Sequence, residues 1–326
     1  VTDMILVTGA NGNLGAATLA ALHARGAIAT GSSRTPSEGM RRLDFDDHSG
    51  IDLAGVSILA LVSAGYAEDD QVVRRHAAVL DAAARDGVRH VIYTSLTGAG
   101  DHLGFALAHR ATERRVRACS LPWTILRNGL YAELFGALLM WGDDGVESAF
   151  GDGALAAVAR ADLAEAAAII AADPAQHTGR TYDLTGAPIT TADVADRLGV
   201  PHRTIGLGEY RRRLLNDMPD LLPFQPPMLA SIATGIRHGF LDGTSPDLAD
   251  ILVRPMSDPL ATAVAAASAT RPGRSQVTAG SARAFPHGGG HAVIDHAASV
   301  SLAAWCRRSY SLGLRWPLAE CRRRVL

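Results

Sequence analysis

The chain has 326 residues, enough for one large α/β domain or two smaller ones with a substantial core, and 48% of them are hydrophobic. Its net charge of −2 hides a division: residues 268–326 hold nine arginines against the two acids Asp295 and Glu320, a net of +7, which leaves about −9 on residues 1–267. An acidic body excludes nucleic acid as a partner, the lack of any uncharged apolar run of about 18 residues excludes a membrane span, and because all 31 basic residues are arginine, chemistry that needs a lysine amine is excluded too.

No basic segment leads into an apolar signal core at the N-terminus, and Cys119, Cys306 and Cys321 are too scattered for a disulfide framework or a metal site. Both features lead to the expectation of a reducing, cytoplasmic setting.

Residues 4–7 (MILV) are an apolar run suited to one buried strand. Thr8 follows, then Gly9, Gly12 and Gly15, and an alanine-rich run over 16–24 that reads as a helix. Strand, glycine turn and helix form the arrangement that binds a dinucleotide pyrophosphate. Gly9 permits the tight turn, Gly12 lets the backbone approach the phosphates, and Gly15 lets helix and strand pack closely. The helix N-terminus offers its N–H groups and positive dipole end to the anion. Asn11, Asn13 and Leu14, set among the glycines, count with them as cofactor-binding residues.

Residues 27–33 form the second strand, ending in Ser32, Ser33 and Arg34. An acidic residue at this point suits the ribose 2′-hydroxyl of NADH, whereas arginine suits a 2′-phosphate. No Asp or Glu lies between Gly15 and Glu38, so NADPH is the expected cofactor, with Ser33 able to add a hydroxyl hydrogen bond. A third strand is expected at 43–46 (LDFD), bringing Asp44 beside the adenine. Residues 56–63 are nearly all apolar, as a strand buried on both faces should be, and end at Ser63. A helix over 68–85, a strand over 88–94 ending at Ser95, a helix over 103–119 and a strand over 122–127 follow. The last delivers Asn128, Gly129 and Tyr131 to its carboxyl edge. This alternation predicts a Rossmann-type, doubly wound parallel sheet, with ligands at the strand ends where Gly9, Arg34, Ser63, Ser95 and Asn128 fall.

Beyond residue 151 the pattern loosens. A helix over 161–172 and a short strand over 181–185 predict that 155–186 returns to the sheet, and Thr190 or Thr191 caps a helix that runs to Leu198 and stops at Gly199. The expected organisation is a dinucleotide-binding domain over 1–150, a small, mostly helical capping region over 187–267, and an Arg-rich tail over 268–326 expected to be disordered. Within the cap, Met218, Pro219, Leu221, Leu222, Phe224, Met228 and Phe240 either line an apolar pocket or form core. In the tail, His287 and His291 lack the carboxylate or cysteine neighbours of a metal site, so no metal is expected; 293–305 can form a helix, and Arg322, Arg323 and Arg324 make a solvated basic end.

Short-chain dehydrogenases of the usual kind donate a proton from a tyrosine whose pKa is lowered by a lysine four residues later. Aligned on Glu113, this chain has Phe105 in the tyrosine position and His109 in the lysine position. Carbonyl reduction makes a strongly basic alkoxide and needs such a donor. A quinone yields a resonance-stabilised hydroquinone anion that water can protonate. The pattern therefore selects against alcohol dehydrogenase chemistry and tolerates quinone reduction.

The sequence resembles the NmrA-like, atypical short-chain dehydrogenases, and among them the type 2 NAD(P)H:quinone oxidoreductases. The residues that carry this are 8–15 (TGANGNLG), Tyr93-Thr94-Ser95-Leu96, His109 with Thr112 and Glu113, Leu126-Arg127-Asn128-Gly129 with Tyr131 and Glu133, and Arg160-Ala161-Asp162, within a match over about residues 4–267. The resemblance implies an NADPH-binding domain with a small C-terminal substrate domain, hydride transfer to a quinone or related small-molecule acceptor, and a homodimer. It implies Arg34 against the 2′-phosphate and Asn128, Gly129, Tyr131 and Glu133 at the nicotinamide and quinone end, with Arg160 also counted as cofactor-binding. His109 and Tyr131 are the candidate catalytic residues, each able to hydrogen-bond a quinone oxygen or the ribose; a helix-surface histidine and a core tyrosine are the plain alternatives. Ser95 either orients substrate or ends its strand. Two features depart from the group: Ala154 stands where relatives carry a lysine, and the tail has no counterpart. NmrA-like redox sensors, which bind NADP(H) without catalysis, are the alternative that the missing Tyr–Lys couple also allows.

Overall fold

The computed structural model describes residues 3–64, 67–218 and 220–272. β1 (Ile5–Val7) is buried on both faces. Gly9, at φ +63°, turns the chain at its end, a conformation that a β-carbon disfavours. The following helix α1 (Asn13–Ala24) starts three residues earlier than the alanine run predicts, because the extended Gly12 is its N-cap. The glycine loop thus supplies the first turn of the helix.

β2 (Ala29–Ser33), β3 (Arg41–Arg42), β4 (Ile58–Leu61), β5 (His90–Leu96), β6 (Trp123–Asn128) and β10 (Arg180–Leu184) complete a seven-stranded sheet in the order β10-β6-β5-β4-β1-β2-β3. Every pairing in it is parallel. The order reverses between β1 and β4, the switch point at which open α/β sheets bind ligands. Thr8 spans that point: its hydroxyl accepts from Val62 N–H at 2.9 Å and donates to Val62 C=O at 3.2 Å.

Alternate residues of the strands feed opposite layers. Ile5, Val7, Ile58 and Ile92 pack on α1 and on α5 (Arg160–Ala172), through Leu14, Leu22, Leu163 and Ile170. Leu6, Leu59, Val91 and Tyr93 pack on α2 (Asp69–Arg85) and α3 (Ala106–Ala118), through Val79, Leu80, Ala83 and Val116.

The third strand is a correction. Pairing to β2 is confined to Arg41 and Arg42, opposite Ser32 and Ser33. The expected 43–46 segment turns away, because Asp44 accepts from the Asp46 N–H at 3.1 Å and Asp47 then caps a short 3₁₀ turn.

A third apolar cluster lies beyond the sheet edge. It joins α4 (Ala132–Leu138), α6 (Thr191–Leu198), α7 (Leu207–Asn216), α8 (Gln225–Arg237) and α10 (Pro259–Ala269), centred on Phe135, Phe150, Tyr210, Leu229 and Ile236. Of the two candidate caps, Thr190 is the one used, closing a capping box with Asp193 on α6, and Gly199 ends the helix at φ +67°, as the sequence predicts. Short strands support this layer: β7 (Met140–Trp141), β8 (Val146–Ser148) and β12 (His202–Thr204) form one sheet, β9 (Leu155–Ala156) and β11 (Pro188–Ile189) another. α9 (Asp247–Ile251), by contrast, returns to the main sheet, with Leu248 and Ile251 in the α5 layer.

The tail boundary moves as well. Ser268 and Ala269 belong to α10, Trp141 Nε1–H donates to the Ala267 carbonyl at 3.1 Å, and the Arg271 guanidinium stands 4.7 Å above the Trp141 ring. The expectations for 293–305, His287, His291 and Arg322–Arg324 lie outside the described residues. α10 docks on α4 at Gly136, where a Cβ would run into the Ala263 carbonyl. Gly136→Ala is therefore expected to destabilise the fold by about 1–3 kcal/mol, as overpacking does, read as a lower urea midpoint; an unchanged midpoint contradicts this packing.

Candidate active site

The cradle is built by close backbone approach. A Cβ on Gly15 would collide with the Gly9 carbonyl, and Gly12 N–H donates to that carbonyl at 2.8 Å. No side chain caps α1 and its first turn carries no acid, so its leading N–H groups face outward for an anion. The Leu14 side chain is buried in the core.

At the β2 end the loop is stitched to the strand. Ala10 N–H donates to the Ser32 carbonyl at 3.0 Å, and Asn11 Nδ2 donates to Ser33 Oγ at 2.9 Å and to the Thr35 carbonyl at 2.8 Å. Arg34 is half-buried and makes no ion pair among the described residues. The fold brings Asp46 into its field, an acid that the stretch between Gly15 and Glu38 does not reveal. Arg75 grips Asp46 with two bonds of 2.7 and 2.6 Å and is the main reason its carboxyl stays below the usual range. The Asp46 charge is thus already answered by Arg75. Asp44 is occupied by its own turn.

Under the ends of β4 and β5 lies a buried polar chain. Ala64 N–H donates to His76 Nε2 at 2.9 Å, so the proton of His76 sits on Nδ1 and is donated to Thr112 Oγ1 at 2.9 Å. Thr112 passes its own hydrogen to the Ala108 carbonyl at 2.8 Å. Ser63 N–H donates to Thr94 Oγ1 at 3.0 Å, and Ser63 and Thr112 both face the Tyr93 hydroxyl. That hydroxyl is 3.1 Å from His109 Nδ1. Burial raises the Tyr93 phenol above its ordinary range, and burial, then the charge of Arg110, brings His109 down to about 4. His109 is accordingly a neutral hydrogen-bonding group, with Phe105 edge-on to its ring at 6.3 Å.

Ser95 joins an ion-pair cluster beneath the β5 end. Its hydroxyl donates at 2.7 Å to Glu113 Oε1, a carboxylate that is 1% exposed and also held by Arg110 and by both nitrogens of the Arg127 fork. The Ser95 hydrogen is thereby committed to that cluster.

At the β6 end, Asn128 is buried and its Oδ1 has no partner among the described residues. Gly129 N–H donates to the Leu184 carbonyl at 2.8 Å, with a Cβ there 3.1 Å from the same oxygen. Tyr131 pairs with Val158, and its ring lies under the Arg160 guanidinium at 4.9 Å. Burial raises the Tyr131 phenol. Glu133 accepts from Arg160 N–H at 3.2 Å. Asp162, buried at the start of α5, holds the approach to α10 through Arg254 (2.7 Å) and Ser257 (2.8 and 2.9 Å). The expected apolar pocket divides: Met218, Leu221 and Met228 pack on the core, while Leu222 and Phe240 are exposed, Phe240 against His102 at 4.4 Å. Phe224 adjoins α8 as its N-cap, and Pro219 lies outside the described residues. Among the described residues no helix is long and apolar enough to cross a membrane, and no three His, Cys, Asp or Glu gather as metal ligands.

An open parallel sheet with a glycine cradle at its switch point, and a third helix without a Tyr–Lys couple, define a Rossmann protein of atypical short-chain dehydrogenase type. No family model matches the chain. It is 32% identical over 229 residues to quinone oxidoreductase 2 of Escherichia coli, spanning 66% of this chain and 78% of that protein. It is also 32% identical over 155 residues to the NmrA-like family domain-containing oxidoreductase flvB of Aspergillus flavus, spanning 42% of this chain and 50% of that one. Among solved structures, Citrobacter sp. triphenylmethane reductase complexed with NADP(H) superposes with a TM-score of 0.72 at 25% identity, covering 81% of this chain and 99% of that one. The Escherichia coli NADPH-dependent quinone oxidoreductase QOR2 complexed with NADPH superposes at 0.70 and 28% identity, covering 80% and 98%. The chain belongs to the NmrA-like group of atypical short-chain dehydrogenases, close to quinone oxidoreductase 2.

The buried histidines carry a pH prediction. Burial holds His76 at about 3 and His90 and His109 at about 4, all below the ordinary value near 6.5. The unfolded chain therefore binds more protons than the fold between about pH 6.5 and 4. Stability is expected to be full above that window and to fall steadily as pH drops through it. Each tenfold loss of proton affinity that a fully buried histidine suffers on folding is worth about 1.4 kcal/mol. Urea midpoints that stay level from pH 7 to 5 contradict the neutral assignment.

Proposed function

We propose that the protein transfers a hydride from NADPH to a quinone or a similarly delocalised acceptor. The observation that carries this reading is the state of α3: no lysine, Phe105 in the tyrosine position, and a neutral His109 tied to a buried phenol. Such a site supplies hydrogen bonds but no strong acid. An acceptor whose reduced anion is weakly basic suits it, because water completes the protonation; a simple ketone does not. The related quinone oxidoreductase 2 and triphenylmethane reductase support the same reading through their acceptors and their NADP(H) complexes.

The residues present fit the dinucleotide. The outward N–H groups at the start of α1 hold its pyrophosphate, Gly15 and Gly12 leave room for backbone approach, and Arg34, with Asp46 answered by Arg75, meets a 2′-phosphate. When bound, the nicotinamide supplies the hydride. The unpartnered Asn128 Oδ1 is an acceptor suited to a carboxamide N–H, and His109 and Tyr131 are the candidates to hydrogen-bond a quinone oxygen or the ribose. The remaining contribution is alignment of acceptor and nicotinamide.

A panel of benzoquinones and naphthoquinones, with NADPH oxidation followed by absorbance, tests this. Turnover is expected, and His109→Ala and Tyr131→Phe are each expected to lower kcat/KM by roughly tenfold, the loss of one hydrogen bond in the transition state. Tight NADPH binding with no turnover on any acceptor overturns the enzyme reading in favour of a sensor. Separately, Arg34→Ala is expected to weaken NADPH by roughly tenfold or more and NADH little; equal losses remove Arg34 from the 2′-phosphate.

A further inference from the structure

We propose that Asn11, inside the glycine loop, sets the choice between NADPH and NADH without needing to touch either, by making the Ser33 hydroxyl a donor only. The inference rests on the cofactor reading above and adds to it a positioning residue.

The chemistry follows from three hydrogen bonds. Asn11 Nδ2 reaches both Ser33 Oγ (2.9 Å) and the Thr35 carbonyl (2.8 Å). A carbonyl only accepts, so the amide nitrogen must face this way, and Ser33 Oγ is an acceptor from Asn11. The Thr35 N–H donates to the same oxygen at 3.2 Å. A serine hydroxyl has two acceptor positions and one hydrogen. Both acceptor positions of Ser33 are now filled, and its hydrogen has no acceptor among the described residues although the residue is only 4% exposed.

Such a group can satisfy itself only by donating to something that arrives. A phosphate oxygen beside the half-buried Arg34 is a charged acceptor, the stronger kind of partner. A ribose 2′-hydroxyl needs an acceptor for its own hydrogen, the role that an acidic residue plays in NAD-preferring folds. Ser33 has none left to offer, and Asp46, an acid in the field of Arg34, is held by both nitrogens of Arg75. The polarity that favours NADPH thus originates in the pyrophosphate loop. Gly31 makes this reach possible: a side chain there would collide with Ala10, next to Asn11.

The test is the ratio of NADPH to NADH dissociation constants for the full chain, read by nicotinamide fluorescence, with thermal shifts by NADP⁺ and NAD⁺ as a second readout. Asn11→Asp replaces the donor with an acceptor, draws the Ser33 hydrogen inward, and is expected to cut the preference for NADPH at least tenfold. Ser33→Ala is expected to cut it similarly by removing the donor. Adding Asn11→Ala to Ser33→Ala is expected to change the preference no further, because Asn11 acts through Ser33. A wild-type protein that binds both cofactors equally defeats the NADPH reading itself. A selective wild-type protein whose Asn11→Ala variant loses both cofactors in equal proportion, or whose two substitutions lower the preference additively, overturns the inference alone. Unliganded melting temperatures separate these results from misfolding, and Asn11→Ser supplies a milder variant if Asn11→Asp does not fold.

Discussion

Burying the carboxylate of Glu113 commits three elements to one arrangement. Burial alone raises its pKa, but the Arg127 fork, the Ser95 hydroxyl and Arg110 outweigh that and bring it to about 2. Ser95 lies near the end of β5, Arg127 lies in β6, and Glu113 and Arg110 lie on α3. Arg110 also binds the carbonyls of Leu96 (2.8 Å) and Thr97 (2.9 Å), so the loop after β5 is tied in. Removing one partner of such a buried cluster typically costs about 3–5 kcal/mol, since the remaining charge is left unanswered. One helical turn before Glu113 stands His109, and the fixed position of α3 is what keeps it within reach of Tyr93.

The result is a site that is polar yet electrically quiet where hydride transfer would occur. His76 and His109 are held neutral and the Tyr93 and Tyr131 phenols are held protonated, in each case first by burial. The charged groups nearby are spoken for: Glu133 by Arg160, Asp162 by Arg254, Glu113 by three arginines. A neutral wall neither repels nor traps an uncharged acceptor, and it gives a developing anion hydrogen bonds without a proton of matched acidity. On the proposed reading, that combination would discriminate by the basicity of the product more than by the shape of the substrate.

What could be read from the sequence was what local rules decide. The βα alternation, the glycine turn, a threonine cap at 190 or 191 and the stop at Gly199 each depend on residues a few positions apart. So does the return of residues 180–184 to the sheet, announced by a short β-rich segment. The missed features are pairings across elements. Ser95 and Glu113 are 18 residues apart, Tyr93 and His109 are 16 apart, and Asp46 meets Arg75 across 29. Nothing in a strand that is buried throughout shows which residue will face a particular helix position. Asp44 misled for a local reason: its carboxylate is a better partner for the Asp46 N–H than a strand ladder would be, and the third strand stops short of it.

On the proposed reading, grip and selectivity form one unit. Gly15 lets α1 sit on the Gly9 carbonyl, and Gly31 lets Ala10 sit on β2. Two close approaches on opposite sides of a short loop leave Asn11 little freedom, and its amide is then fixed by a carbonyl that can only accept. A loop free to move would let the Ser33 hydroxyl rotate and trade its hydrogen between partners, and a rotating hydroxyl serves a phosphate and a ribose hydroxyl alike. On the proposed reading, two glycines whose first effect is to permit packing decide the direction of one hydrogen bond nearby, and with it whether the strand end suits a 2′-phosphate or a 2′-hydroxyl.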